Sequence, residues 1–230
     1  LSQWYHVATT YDGSRVKQYV NGVLSLDFAL SIPVSSGGHA FTVGGSQVAS
    51  ESWVGSLSSL RVVKGVVVYT GAFTSPTALI SSTQAAGANI TAISGTATVL
   101  LTCQTSAQNG ALVDLSPTGV TLTTRPSPKI SPFNQPTAFS ASFPSGAYLS
   151  AAASPSFDLG ASFTIEFVAN PTASTTAKPI STKGSAGDGY EIVFSSGKFG
   201  IQVYGVTSSG MQLGSIACAL NQWTHVATTY

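Results

Sequence analysis

The chain has 230 residues, only nine Lys or Arg and eight Asp or Glu, and a formal net charge of +1. At 7% charged, against roughly 25% for an ordinary globular domain, it offers no electrostatic footprint for nucleic acid and no polybasic patch for anionic lipid. Hydrophobic residues make up 43% and the mean hydropathy is +0.28, which excludes a solvated disordered tail. No run of 18 apolar residues occurs, so no membrane-inserted helix is expected.

The chain opens on Leu1-Ser-Gln-Trp-Tyr-His-Val-Ala-Thr-Thr-Tyr11 and closes on Leu220-Asn-Gln-Trp-Thr-His-Val-Ala-Thr-Thr-Tyr230. Nine of these eleven positions match, and Trp4 to Trp223 is a spacing of 219 residues. A period of that size reads as about one unit of a larger tandem repeat, entered part-way through the unit. Two similar strands inside one domain would be the alternative. The lack of an initiator Met suggests an excised piece, and no signal-peptide pattern is visible.

Residues 4–28 read as a three-stranded meander. Alternation from Trp4 to Tyr11 ends at Asp12-Gly13, Arg15 to Val20 form the second strand, and Asn21-Gly22 suits the positive φ of a tight hairpin before Val23 to Phe28. Phe41 to Gly44 and Gly55 to Val63 are further strands, the latter with Leu57 and Leu60 facing a core. The stretch 81–97 is small, polar and uncharged, and reads as a linker. Beyond it, Val99–Thr102, Val120–Thr123, Ala147–Leu149, Phe163–Val168, Tyr190–Phe194 and Phe199–Tyr204 are expected strands of β-branched and aromatic residues. No sustained 3.6-residue period appears, so helices are expected to be few and short. Cys103 and Cys218 lie in apolar runs as small hydrophobes, and the sequence leaves their disulfide state open.

Trp4-Tyr-His-Val-Ala-Thr-Thr-Tyr-Asp-Gly-Ser14 with Tyr19-Val-Asn-Gly22 resembles the central signature of laminin G-like domains in the concanavalin A-like lectin/glucanase superfamily. Gly55-Ser-Leu-Ser-Ser-Leu-Arg-Val-Val-Lys-Gly65 resembles their final core strand, and Phe163-Thr-Ile-Glu-Phe167 and Gly189-Tyr-Glu-Ile192 their early strands. Val68 to Pro76, Leu100 to Gln104 and Ser131-Pro-Phe133 are similar to the closing and opening segments of tandem copies in marine phage structural proteins. One departure is Val168, where the family commonly carries Trp. The resemblance implies an all-β, two-sheet antiparallel jelly-roll sandwich cut out of phase with its domain. Residues 1–80 would then be the C-terminal part of one domain, 81–97 a linker, and 98–230 the N-terminal part of the next. Each part would need its missing half from a neighbouring copy. If both parts closed one sandwich in cis, 1–11 and 220–230 would compete for one strand position.

Chemistry is sparse. His6 and His225 occupy one repeat position, mid-strand beside Trp4 and Trp223, and read as locally bonded structural residues; His39 follows Gly37-Gly38 in a loop. Glycoside hydrolysis needs two carboxylates about 5–9.5 Å apart, and the Glu-x-Asp-x-x-Glu cluster of the superfamily's glucanases is missing, leaving Glu166 and Glu191 as isolated strand residues. No enzyme is expected. Family members often bind calcium at the sandwich rim, which makes Asp12, Asp188 and Asp158 the candidate ligands; turn formation accounts for Asp12-Gly13 and Asp188-Gly189 without metal. No other cofactor is indicated. A sugar platform would need an exposed aromatic with polar neighbours. Trp53 with Glu51 is the first candidate, Tyr190 and Tyr204 the weaker ones, and packing of Trp53 on the core is the competing reading. The expected role is a non-enzymatic structural and adhesive repeat of a virion fibre or cell-surface protein. Its partners would be neighbouring copies of itself, with host-surface polysaccharide as the alternative partner of a glycan-binding adhesin.

Overall fold

A computed structural model describes all residues except 1–6, 47–50, 105–111, 126–127, 133–138, 183–187, 206–209, 222–223 and 230. Among the described residues, sixteen strands run in chain order: β1 Val7–Tyr11, β2 Arg15–Val20, β3 Val23–Ala29, β4 Phe41–Val43, β5 Gly55–Lys64, β6 Thr98–Thr102, β7 Leu122–Arg125 and β8 Lys129–Pro132. They continue as β9 Phe139–Phe143, β10 Tyr148–Ala151, β11 Phe163–Pro171, β12 Ala177–Ser181, β13 Tyr190–Ser195, β14 Lys198–Val203, β15 Gln212–Leu213 and β16 Thr224–Thr229. Among the described residues, two complete three-residue 3-10 turns occur, Gly95–Ala97 and Pro155–Phe157. Among the described residues no helix is long and apolar enough to cross a membrane.

The strands form two antiparallel sheets packed face to face. In the first, β3 pairs with β2, β5 lies between β11 and β9, β6 pairs with Leu60–Val63 of β5, and β8 closes the far edge. The second runs β15-β14-β13-β12-β4-β10-β7. The segments 1–80 and 98–230 are therefore interleaved in both sheets: β5 is flanked by β11 and β9, and β4 by β12 and β10. A central strand removed from either sheet leaves two unpaired ladders, so neither segment alone completes a sheet.

The position between β2 and β11 is addressed twice. Val7 of β1 pairs with Val20 and Phe167, and Val226 of β16 pairs with the same two residues. Ala8 and Ala227 both face Tyr19 and Glu166, and Thr9 and Thr228 both face Gln18 and Ile165. A ladder position holds one strand, so β1 and β16 are alternative occupants in one register. The repeated Trp4, His6, Trp223 and His225 lie outside the residues whose side chains are described.

Alternation sorts the side chains as the pleat requires. Phe163, Ile165, Phe167 and Ala169 of β11 and Tyr190, Ile192 and Phe194 of β13 fill the space between the sheets with Phe41, Phe143, Leu149, Phe157, Phe199 and Ile201. In β5, Leu57 and Leu60 both point inward although three residues apart. Ser59 between them takes φ 52°, a left-handed bulge that also shifts the pairing with β11. The first sheet carries a second, smaller core on its outer face, where Ala8, Tyr19, Val63, Val68, Tyr69 and Ile93 pack together.

That outer core exists because residues 66–97 lie across the sheet as a strap. The part that reads as a linker is held by paired bonds between Gln84 and Ile93 and by Asn89 on Ala72, with Ile80 and Ile93 buried. Thr98 donates to the carbonyl of Ser82, and Gln104 to that of Ile80. Small uncharged residues let the chain follow the sheet surface closely. β7 begins two residues later than its sequence pattern suggests, because the Val120 N–H is taken by Asp114 Oδ2 at 2.8 Å. Cys103 and Cys218 are both buried thiols, and burial pushes the Cys103 thiol up to about 12.

Candidate functional site

Among the described residues, each sheet carries one buried ion pair on its outward-pointing residues. On β11, Glu166 alternates with Ile165 and Phe167 and so points away from the main core, beneath the strap. Arg61 of β5 reaches it through Nε at 2.5 Å, and both side chains are fully buried. Arg61 also donates to the Ser81 carbonyl at 2.8 Å and to Gln84 Oε1, while Tyr69 OH donates to Glu166 Oε2 at 2.9 Å. Burial and then the Glu166 charge hold the Tyr69 hydroxyl well above its ordinary range. The guanidinium thus ties β5, β11 and the strap together.

On the second sheet, Glu191 of β13 points away from the core in the same manner. Its Oε2 accepts from Lys178 Nζ at 2.5 Å and from Tyr204 OH at 2.6 Å, and its Oε1 from Ser181 Oγ at 2.8 Å. Lys178 and Glu191 are buried and Tyr204 is half-buried. Burial raises the Tyr204 pKa first, then its bond to Glu191 and the charges of Glu191 and Glu51. Glu51 itself accepts from Ser46 Oγ at 3.0 Å. The structure therefore gathers Tyr204, Glu191, Lys178 and Ser181 at one place on this sheet.

Two sugar-platform candidates are elsewhere. Trp53 is 1% exposed and packs edge-on against Phe194, with ring centroids 5.6 Å apart, so it presents no face to a ligand. Tyr190 is fully buried and its hydroxyl donates to the Phe157 carbonyl at 3.1 Å. Of the three aromatic candidates, Tyr204 alone is partly exposed.

The three rim aspartates are engaged by donors. Asp12 Oδ1 accepts from Ser14 N at 2.9 Å, Ser14 Oγ at 2.6 Å and Arg15 N at 2.9 Å, closing the β1–β2 turn. These bonds, the Ser14 hydroxyl foremost, lower its pKa. Asp158 Oδ1 accepts from Ser36 N, Ser36 Oγ and Ser35 Oγ. Burial opposes ionisation there, but the Ser36 and Ser35 bonds and the Lys64 charge outweigh it and lower the pKa. Asp188 pairs with His39 Nε2 at 2.7 Å. One loop, residues 34–39, thus contacts both Asp158 and Asp188. Among the described residues, no group of three or more His, Cys, Asp or Glu side chains is placed to hold a metal ion.

Sequence reasoning identified Glu166 and Glu191 but missed Arg61, Tyr69, Gln84, Lys178 and Ser181. A signal existed: a lone cation inside Leu60-Arg-Val-Val63 and a lone anion inside Phe163-Thr-Ile-Glu-Phe167 each mark a buried charge in need of a partner. Which partner could not be read, since Arg61 and Glu166 stand 105 positions apart.

These two sheets and their Greek-key-like crossings define an antiparallel jelly-roll sandwich with one inter-sheet core. The family model Laminin_G_3, described as the concanavalin A-like lectin/glucanases superfamily, matches residues 1–69 and 143–230, and the chain belongs to that family. The match falls on the two segments that interleave in the sandwich. No curated protein and no solved structure matches the chain.

Proposed function

We propose that this chain is a non-enzymatic structural and adhesive module of a repetitive fibre-like or surface protein, virion-borne or extracellular, that works by packing against copies of itself. The observation that carries this reading is the duplicated strand: two segments 219 residues apart share one register in one position. A domain with a unique role has no use for two copies of one strand, whereas a repeating chain produces them at every period. Further support comes from the acids. Glu166 and Glu191 are fully buried and each is neutralised by a cation, so neither is free to protonate a glycosidic oxygen or activate water. The 7% charge content suits close packing of like surfaces with little repulsion.

A glycan-binding adhesin is the second reading, favoured by the half-exposed Tyr204 held by Glu191. A glycan array and a hydrolysis screen on the intact chain separate the two. The structural reading expects neither binding nor turnover, together with elongated particles in scattering from chains of several copies. Saturable glycan binding lost on Tyr204→Ala would favour the adhesin, and sugar release lost on Glu191→Gln would favour an enzyme.

A further inference from the structure

The strand position between β2 and β11 has a built entry and a built exit. Entry is from the β16 side: Cys218 N donates to the Gly197 carbonyl at 2.7 Å and Asn221 N to the Pro171 carbonyl at 2.7 Å. These bonds anchor the chain to the end of β11 and to the β13–β14 turn, and deliver it into the position at Thr224. Exit is from the β1 side: Tyr11 leads through the three-residue turn Asp12-Gly13-Ser14, closed by the Asp12 carboxylate, directly into β2. Gly13 sits at φ +91°, as such a turn requires.

Within one copy these two devices are exclusive. If β16 fills the position, the Asp12 turn has no strand to return; if β1 fills it, the 218–221 anchor leads nowhere. Both are satisfied by a single strand that is preceded by residues 218–221 of one copy and followed by residues 12–14 of another. The sequence permits this without adjustment, because Val7–Tyr11 and Val226–Tyr230 are identical in sequence and Val7–Thr10 and Val226–Thr229 occupy the same register.

We propose that a sandwich is shared between two consecutive copies of this chain: β9 to β15 come from the earlier copy, β2 to β5 from the later one, and one strand, at once β16 of the first and β1 of the second, joins them. The partner is thus a second copy, and it supplies β5 and β4, the strands without which neither sheet closes. This deepens the repetitive-module reading and rests on it.

The test uses two copies joined head to tail at the 219-residue period, sharing the one strand. Ser56 of β5 faces Asn170 of β11 across the ladder, a separation that suits a disulfide. Asn170→Cys in the first copy with Ser56→Cys in the second is expected to form a disulfide under mild oxidation. It would be read as a mobility shift on a non-reducing gel and assigned by peptide mass. In the same two-copy chain, the pair placed wholly within the first copy is expected to stay reduced, because its β11 is already paired with β5 of the second. Cross-linking within one copy at equal or greater yield overturns the proposal. Thr42→Cys and Ser150→Cys, paired across β4 and β10, repeat the test on the other sheet should the first pair impair folding. The readout is independent of glycan binding or catalysis, so a failure of the functional reading and a failure of the shared sandwich are told apart.

Discussion

Replacing Glu166 with Gln removes one charge and almost no volume from a fully buried polar site beneath the strap. The Gln carbonyl still accepts from Arg61 Nε, and the Ser81 carbonyl and Gln84 Oε1 remain, so the guanidinium keeps its hydrogen bonds. What it loses is the only buried anion bonded to it among the described residues, at a position with no solvent exposure. Breaking a buried pair from one side typically costs about 3–5 kcal/mol, because the surviving charge is left uncompensated. For a chain of this length that is a fall of roughly 6–20 °C in Tm. Thermal and urea unfolding of the intact chain measure it, and hydrogen exchange locates it: protection should fall first across 66–97. The double change Arg61→Met with Glu166→Leu removes both charges and should recover most of the loss, since apolar replacement of a buried pair is often about neutral. A Glu166→Gln protein within about 2 °C of the parent, or a double variant no better than the single, refutes the view that an enclosed charge balance holds the strap.

Three further outcomes are expected. Deleting residues 1–11, or residues 220–230, leaves one occupant for the β2–β11 position and should change Tm little. Deleting both strips the ladders on two strands, at about 1 kcal/mol per hydrogen bond before lost burial, and circular dichroism should show an unfolded chain. Asp158 has a lowered pKa in the fold, so its contribution is complete above the ordinary carboxylate pKa and is lost as pH falls through the folded value; Asp158→Asn should flatten the acid limb of the stability profile below about pH 4. Tyr69, Tyr190 and Tyr204 have raised pKa values, so their contribution is complete below about pH 10 and is lost as pH rises beyond it. Alkaline titration should therefore unfold the chain as these tyrosines ionise, and Tyr204→Phe should soften that limb.

The strands with strict alternation were legible from sequence, as in Phe163 to Phe167 and Tyr190 to Phe194, because a pleat with one apolar side imposes a period of two. β8, β9, β12 and β15 were not. Lys129–Pro132 and Ala177–Ser181 contain prolines that read as breaks, and Gln212–Leu213 is too short to show a pattern. Small polar composition made 81–97 read as a linker, yet its two isoleucines, Ile90 and Ile93, pack against the strap's own apolar patch. Trp53 and Tyr190 looked like candidate platforms because burial is a property of the assembled sheets, not of the local sequence. The identity of Arg61's and Lys178's partners is equally non-local, fixed by which strands become neighbours.

A strand with ladders on both sides has a mechanical consequence. In a chain of joined copies, tension would enter and leave through β16, which pairs with β11 over Thr224–Thr229 and with β2 over Val226–Thr229. A pull along its axis loads both rows of hydrogen bonds together, in shear, whereas an edge strand such as β3 would be peeled one bond at a time. The covalent path through such a filament would run along the middle of a sheet, where extension meets its greatest resistance.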